Sequence, residues 1–69
     1  MPITMATIGE ANFIKKITGK DNVRQHLAEL GFVVGESVTI VSSLGGNLIL
    51  NVKDSRIALD KDMAMRIMI

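Results

Sequence analysis

The chain has 69 residues, read as one domain over residues 1–69 with one small core; at this length folding hides only about 60% of the surface the unfolded chain exposes. Eight basic and seven acidic residues leave a net charge of +1, and Phe13 and Phe32 are the only aromatics, so the basic stripe and stacking platforms of a nucleic-acid binder are missing. Cysteine is absent, no apolar run approaches the ~18 residues of a membrane span, and the Met-Pro-Ile start lacks a signal-peptide pattern, which together point to an intracellular, soluble chain without disulfides.

Taken in order, Pro2-Ile3-Thr4-Met5 alternates weakly and is expected as a short edge strand. A turn follows over Ile8-Gly9-Glu10. Ala11 to Ile17 reads as a strand, with a bulge near Lys15-Lys16 that lets Ile14 and Ile17 both face inward. Gly19-Lys20-Asp21 is a polar connection into the most informative stretch, residues 22–35. There Asn22 is placed as a helix cap that accepts from the amide of Gln25, while Gln25 reaches back, the reciprocal pattern of a capping box. Val23, Leu27 and Leu30 share the i, i+4, i+7 spacing of one apolar stripe. Arg24, Gln25, Ala28 and Glu29 then face outward, with His26 at the edge. Gly31 supplies the left-handed residue beyond the helix end, with Phe32 packed back on Leu27, and Gly35 supplies a second turn.

Glu36-Ser37-Val38-Thr39-Ile40-Val41 alternates as a half-buried strand. Beyond the Gly45-Gly46-Asn47 loop, Leu48, Leu50 and Val52 line one face of the next strand. Lys53-Asp54-Ser55 is a tight turn and Arg56-Ile57-Ala58-Leu59 the return strand. Asp60 can cap a single turn through Ala64. Met65, Ile67 and Ile69 then alternate inward on a closing strand, with Met63 at the mouth of the core and Met68 on the opposite face. Short strands and glycine turns in so few residues predict a mainly β fold. The expectation is a small SH3-like barrel of about five strands, with one short α-helix inserted after the first long strand, because closure removes exposed edges. An open α+β sheet covered by the helix is the alternative.

Catalysis has little to stand on. His26 is the only histidine, nothing in the spacing brings Ser37, Ser42, Ser43 or Ser55 beside it as a nucleophile, and phosphate-loop, zincin and nucleophile-elbow patterns are absent. The expectation is a protein that is not an enzyme. His26 and Glu29 lie three apart on the helix and are weak metal candidates, which Glu10 or Asp21 would have to complete, since a transition-metal site usually wants three or four ligands. The outward face of the helix, Arg24, Gln25, Ala28 and Glu29, is the first candidate for protein contact, and Met68 on the closing strand is the second. Leu27, Leu30, Gly31 and Gly35 are structural.

The order Gly9-Glu10, Ile14, Ile17, Gly19, then Leu27-x-x-Leu30-Gly31-Phe32-x-x-Gly35-x-x-Val38, then Ile57-Ala58-Leu59, Ala64 and Ile67 resembles the FeoA family over nearly the whole chain. The resemblance implies a cytoplasmic accessory or regulatory protein of bacterial ferrous iron uptake. Its partner would be the cytosolic GTPase portion of the membrane ferrous iron transporter FeoB, with no nucleic acid and no insertion into the membrane. It also raises a divalent transition metal ion as a weak ligand. The alternative is a metal-sensing module similar to the SH3-like C-terminal domain of iron-dependent repressors. One departure falls at Lys53-Asp54-Ser55, where the family often has a glycine and where Asp is expected to tolerate the left-handed conformation. A barrel that is 48% hydrophobic could also self-associate.

Overall fold

The computed structural model describes every residue from Met1 to Ile69. Six strands and two helices follow one another as β1 (Ala11–Phe13), β2 (Lys16–Ile17), α1 (Asp21–Leu30), β3 (Ser37–Leu44), β4 (Asn47–Val52), β5 (Ser55–Asp60), α2 (Lys61–Ala64) and β6 (Ile67–Met68). A four-stranded antiparallel sheet has the order β1-β3-β4-β5, and a separate two-stranded sheet pairs β2 with β6. Between them lies a core of thirteen buried residues, all hydrophobic.

The meander β3-β4-β5 is written in its alternation. Val38 and Ile40, then Leu48, Leu50 and Val52, then Leu59 point inward, while their neighbours are half-buried or exposed. Both connections are two-residue turns with a left-handed residue first, Gly45 at φ 61° and Lys53 at φ 54°. That is the twist-compatible geometry for joining adjacent antiparallel strands. The left-handed residue of the second turn is thus Lys53, and not the expected Asp54. The bulge expected near Lys15 instead sits in β3, where the register shifts between Ile40 and Ser42.

The strand expected from Ala11 to Ile17 is split. At Ile14 the chain leaves one sheet for the other: the Ile14 amide donates to the Glu36 carbonyl at 2.9 Å, and the Gly35 amide donates to the Ile14 carbonyl at 2.8 Å. Ile14 is buried and Ile17 packs against the core, as expected of both, but a change of sheet achieves it and a bulge does not. The Pro2–Met5 edge strand is also absent. Ile3–Met5 form a 3-10 turn closed by Met5 N–H to Pro2 O and Ala6 N–H to Ile3 O, and only Pro2 bridges to Met68. The turn carries Ile3 fully into the core.

Helix α1 begins two residues earlier than the Asn22 cap requires. Lys20 occupies the N-cap without a side-chain bond, and Asn22 Oδ1 accepts from Val23 N–H within the first turn, so the capping box with Gln25 does not form. Asp21 in the first turn supplies the favourable charge instead. The C-terminal stop is as expected. Gly31 has φ 108°, its amide donates to Ala28 O, and the Phe32 amide donates to Leu27 O, the paired bonds of a Schellman motif. At the other end of the chain, Asp60 caps α2 by accepting from Met63 N–H at 2.8 Å. Met65 departs from expectation: it stays in helical conformation as the C-cap and is exposed, so inward alternation starts only at Ile67.

Candidate functional site

Val23, Leu27 and Leu30 turn α1 toward the core, which leaves Arg24, Gln25, His26, Ala28 and Glu29 exposed. A shallow open groove of about 600 Å³ runs beside the N-terminal half of this helix. Asp21, Arg24 and Gln25 form its helical wall; Lys15, Lys16 and Ile17 form the opposite wall, and Val34 its lip.

The groove exists because of two local constraints. The change of sheet at Ile14 turns Lys15 and Lys16 outward as the chain enters β2. The left-handed Gly35, tied to Ile14, folds the loop after α1 against the same segment and leaves Val34 65% exposed. Three of its four charged side chains are basic, in a chain of net charge +1; the remaining surface is therefore net negative. The one acidic residue, Asp21, pairs with Arg24 at 2.5 Å. Both partners of that ion pair are well exposed, so it positions the arginine more than it stabilises the helix.

Of the residues singled out from sequence, the structure gathers Arg24 and Gln25 at this groove, with Ala28 and Glu29 further along the same exposed face. Met68 lies elsewhere. It is half-buried in β6, between Lys16 on one side and Pro2 on the other, which leaves it less accessible than the exposed face of the helix. His26 and Glu29 are both exposed, and no group of three or more His, Cys, Asp or Glu side chains is placed to hold a metal ion; neither Glu10 nor Asp21 completes a site. Lys15, Lys16 and Val34 were not anticipated as a surface. Phe13, 68% exposed, was missed in the same region. Its signal was present: adjacent Phe13 and Ile14 cannot both face inward on an extended chain.

The FeoA domain family matches residues 1–69. The chain belongs to the FeoA family. A protein of Methanocaldococcus jannaschii named as an Fe(2+) transport protein A is 31% identical over 68 residues, covering 99% of this chain and 83% of the relative. Among solved structures, the zinc complex of Stenotrophomonas maltophilia FeoA superposes with a TM-score of 0.86 at 27% identity, covering 99% of this chain and 87% of that one. That protein is described as a procaryotic SH3 domain protein and a candidate ferrous iron transport activating factor. A manganese-dependent transcriptional repressor matches with a TM-score of 0.84 at 11% identity over 97% of this chain and 39% of its own, a likeness of fold alone. The mainly β, SH3-like architecture of this FeoA chain is thus shared with the S. maltophilia FeoA and, in fold, with a repressor.

Proposed function

We propose that this FeoA-family chain is a cytoplasmic accessory protein of ferrous iron uptake that docks on the GTPase portion of a FeoB-type transporter and carries out no chemistry of its own. The observation that carries this reading is the exposed face of α1 with its basic groove, in a molecule whose interior holds no polar or charged residue. An enzyme tunes its acids and bases by burying them, whereas an accessory protein needs only a rigid core and a charged rim that steers its partner. No helix is long and apolar enough to cross a membrane, and the transporter supplies the membrane-spanning part in this reading.

The zinc bound by the S. maltophilia relative and the repressor-like fold favour a second reading, a metal-sensing module. His26 and Glu29 would have to recruit ligands from another molecule to serve it. Two measurements separate the readings. A pull-down against the soluble GTPase portion of FeoB should retain wild type and release the Arg24→Glu, Glu29→Lys double variant more readily, with the difference narrowing at high salt. Calorimetry with ferrous or manganous ion should show no stoichiometric micromolar binding. Tight binding of the ion without retention by the GTPase would reverse the order of the two.

A further inference from the structure

Strand β5 ends the four-stranded sheet, and its outer edge has no neighbour. The two-residue turn at Lys53-Asp54 makes Val52 and Ser55 a hydrogen-bonded pair, and alternation along the ladder then directs the N–H and C=O of Ser55, Ile57 and Leu59 toward β4. Arg56 and Ala58 therefore aim both backbone groups outward, and neither residue's backbone finds a partner in a turn, loop or cap. All of Arg56, Ala58 and Asp60 are exposed.

An open edge is usually blunted by charge, but here the charges are self-complementary. An antiparallel copy of β5 centred on Ala58 places Ala58 opposite Ala58 and Arg56 opposite Asp60 on both sides of the twofold axis. Arg56 and Ala58 bring outward-facing backbone groups to those pairs, and Asp60, where β5 passes into α2, brings its carboxylate. Neither side chain is committed to an ion pair within the chain: the only intrachain ion pair is Arg24 with Asp21. Arg56 makes one 3.4 Å bond from Nε to Asn51, and Asp60 uses Oδ1 for the α2 cap, which leaves the outer guanidinium nitrogens and Oδ2 unbonded. Ile57 and Leu59 come opposite each other on the inner face. A slip of two residues loses both cross-strand charge pairs, and a parallel pairing sets like charges opposite, each of which is unfavourable.

We propose that β5 is a self-recognition edge, through which two copies of this chain join their sheets into one antiparallel sheet of eight strands. The contact is isologous and small compared with a standard interface, so the dimer is weak and depends on concentration. It uses none of the groove residues, and so the pair presents two docking faces to a partner, with the gain in effective concentration that bivalency brings.

The test is amide exchange by NMR together with sedimentation equilibrium, on the full chain from tens of micromolar to millimolar. Exchange at Ala58 proceeds from the unpaired chain, so it should slow by about tenfold once nine-tenths of the chains are paired, while Ile57 and Leu59, bonded to β4, change little. Arg56→Glu sets like charges opposite Asp60 and should sediment as a monomer with an unchanged melting midpoint. Ala58→Pro, which removes an outward N–H, should do the same, and Arg56→Glu carries the test alone if the proline variant fails to fold. A wild-type chain that stays monomeric at millimolar concentration overturns the proposal. So does a dimer in which Ala58 exchange is unaffected, since another surface then makes the contact.

Discussion

The β3-β4-β5 meander and the segment from Met1 to Lys20 contribute to the same core in opposite ways. In the meander each strand pairs with its sequence neighbour through a two-residue turn, and the inward positions follow a period of two. In the N-terminal segment the local backbone bonds only close turns, Met5 to Pro2, Ala6 to Ile3 and Glu10 to Thr7, and its strand pairing is all to distant residues. Ile14 is held by Glu36 and Gly35, Lys15 donates to Met68, Thr18 to Arg66, and Gly9 to Ile40. Its burial is decided by residues that lie far along the chain. Local pairing builds a region that can be read one residue at a time; distant pairing builds one that depends on the rest being folded, with the loop-closure cost that entails.

The largest effect tests whether the two regions share one core. Leu50, fully buried in β4, and Leu27, fully buried on α1, should each cost about 2–5 kcal/mol on truncation to Ala. Chemical denaturation should show both losses in a single transition if helix, meander and N-terminal segment fold together. A Leu50→Ala variant in which the Ile14 and Lys15 amides exchange early, before those of the meander, would show that the segment detaches first.

The same contrast governs what was legible in the sequence. The inward face of β4, the stripe on α1 and the Gly31 stop were readable because each is a periodic or capping signal among near neighbours. Splitting the strand at Ile14 was not, since the acceptor at Glu36 lies beyond the intervening helix. The 3-10 turn at Ile3–Met5 was hidden for a similar reason: Ile3 is buried in the core with the turn packed beside α2, which begins only at Lys61, far along the chain. Of the candidate site, the α1 half could be placed by helical spacing. Lys15, Lys16 and Val34 could not, because the loop that joins them to the helix is positioned by Gly35 against Ile14.

Gly31 offers a smaller perturbation. A Cβ there would meet Val52 Cγ1 at 3.6 Å, an ordinary contact, so space is not the obstacle. The cost is the left-handed backbone, about 1–3 kcal/mol for a β-branched residue, and Gly31→Val should lower the thermal midpoint accordingly. Lys53 is the converse case in the meander: a lysine occupies φ 54° where the turn geometry favours glycine. Lys53→Gly should raise stability by about 1 kcal/mol, the relief of strain exceeding the added flexibility of the unfolded chain. An unchanged or lowered midpoint would mean that the turn holds lysine without strain.

The smallest effect on stability carries the most about function. The groove joins the two regions, with Lys15 and Lys16 on the segment fixed by distant contacts and Arg24 on the locally specified helix. Lys15→Glu with Lys16→Glu reverses one wall, and Arg24→Glu reverses the other. All three side chains are exposed, so each change should stay within about 0.5 kcal/mol in stability. If a partner sits in the groove, both reversals should slow association with the FeoB GTPase portion, and the losses should shrink as salt rises. The two walls differ in number of charges, which makes the double lysine reversal the stronger of the two. Loss on Arg24→Glu with none on the lysine pair would confine docking to the helix face and leave the groove outside the interface. The opposite result would place recognition on β2, in the part of the chain that sequence periodicity describes least.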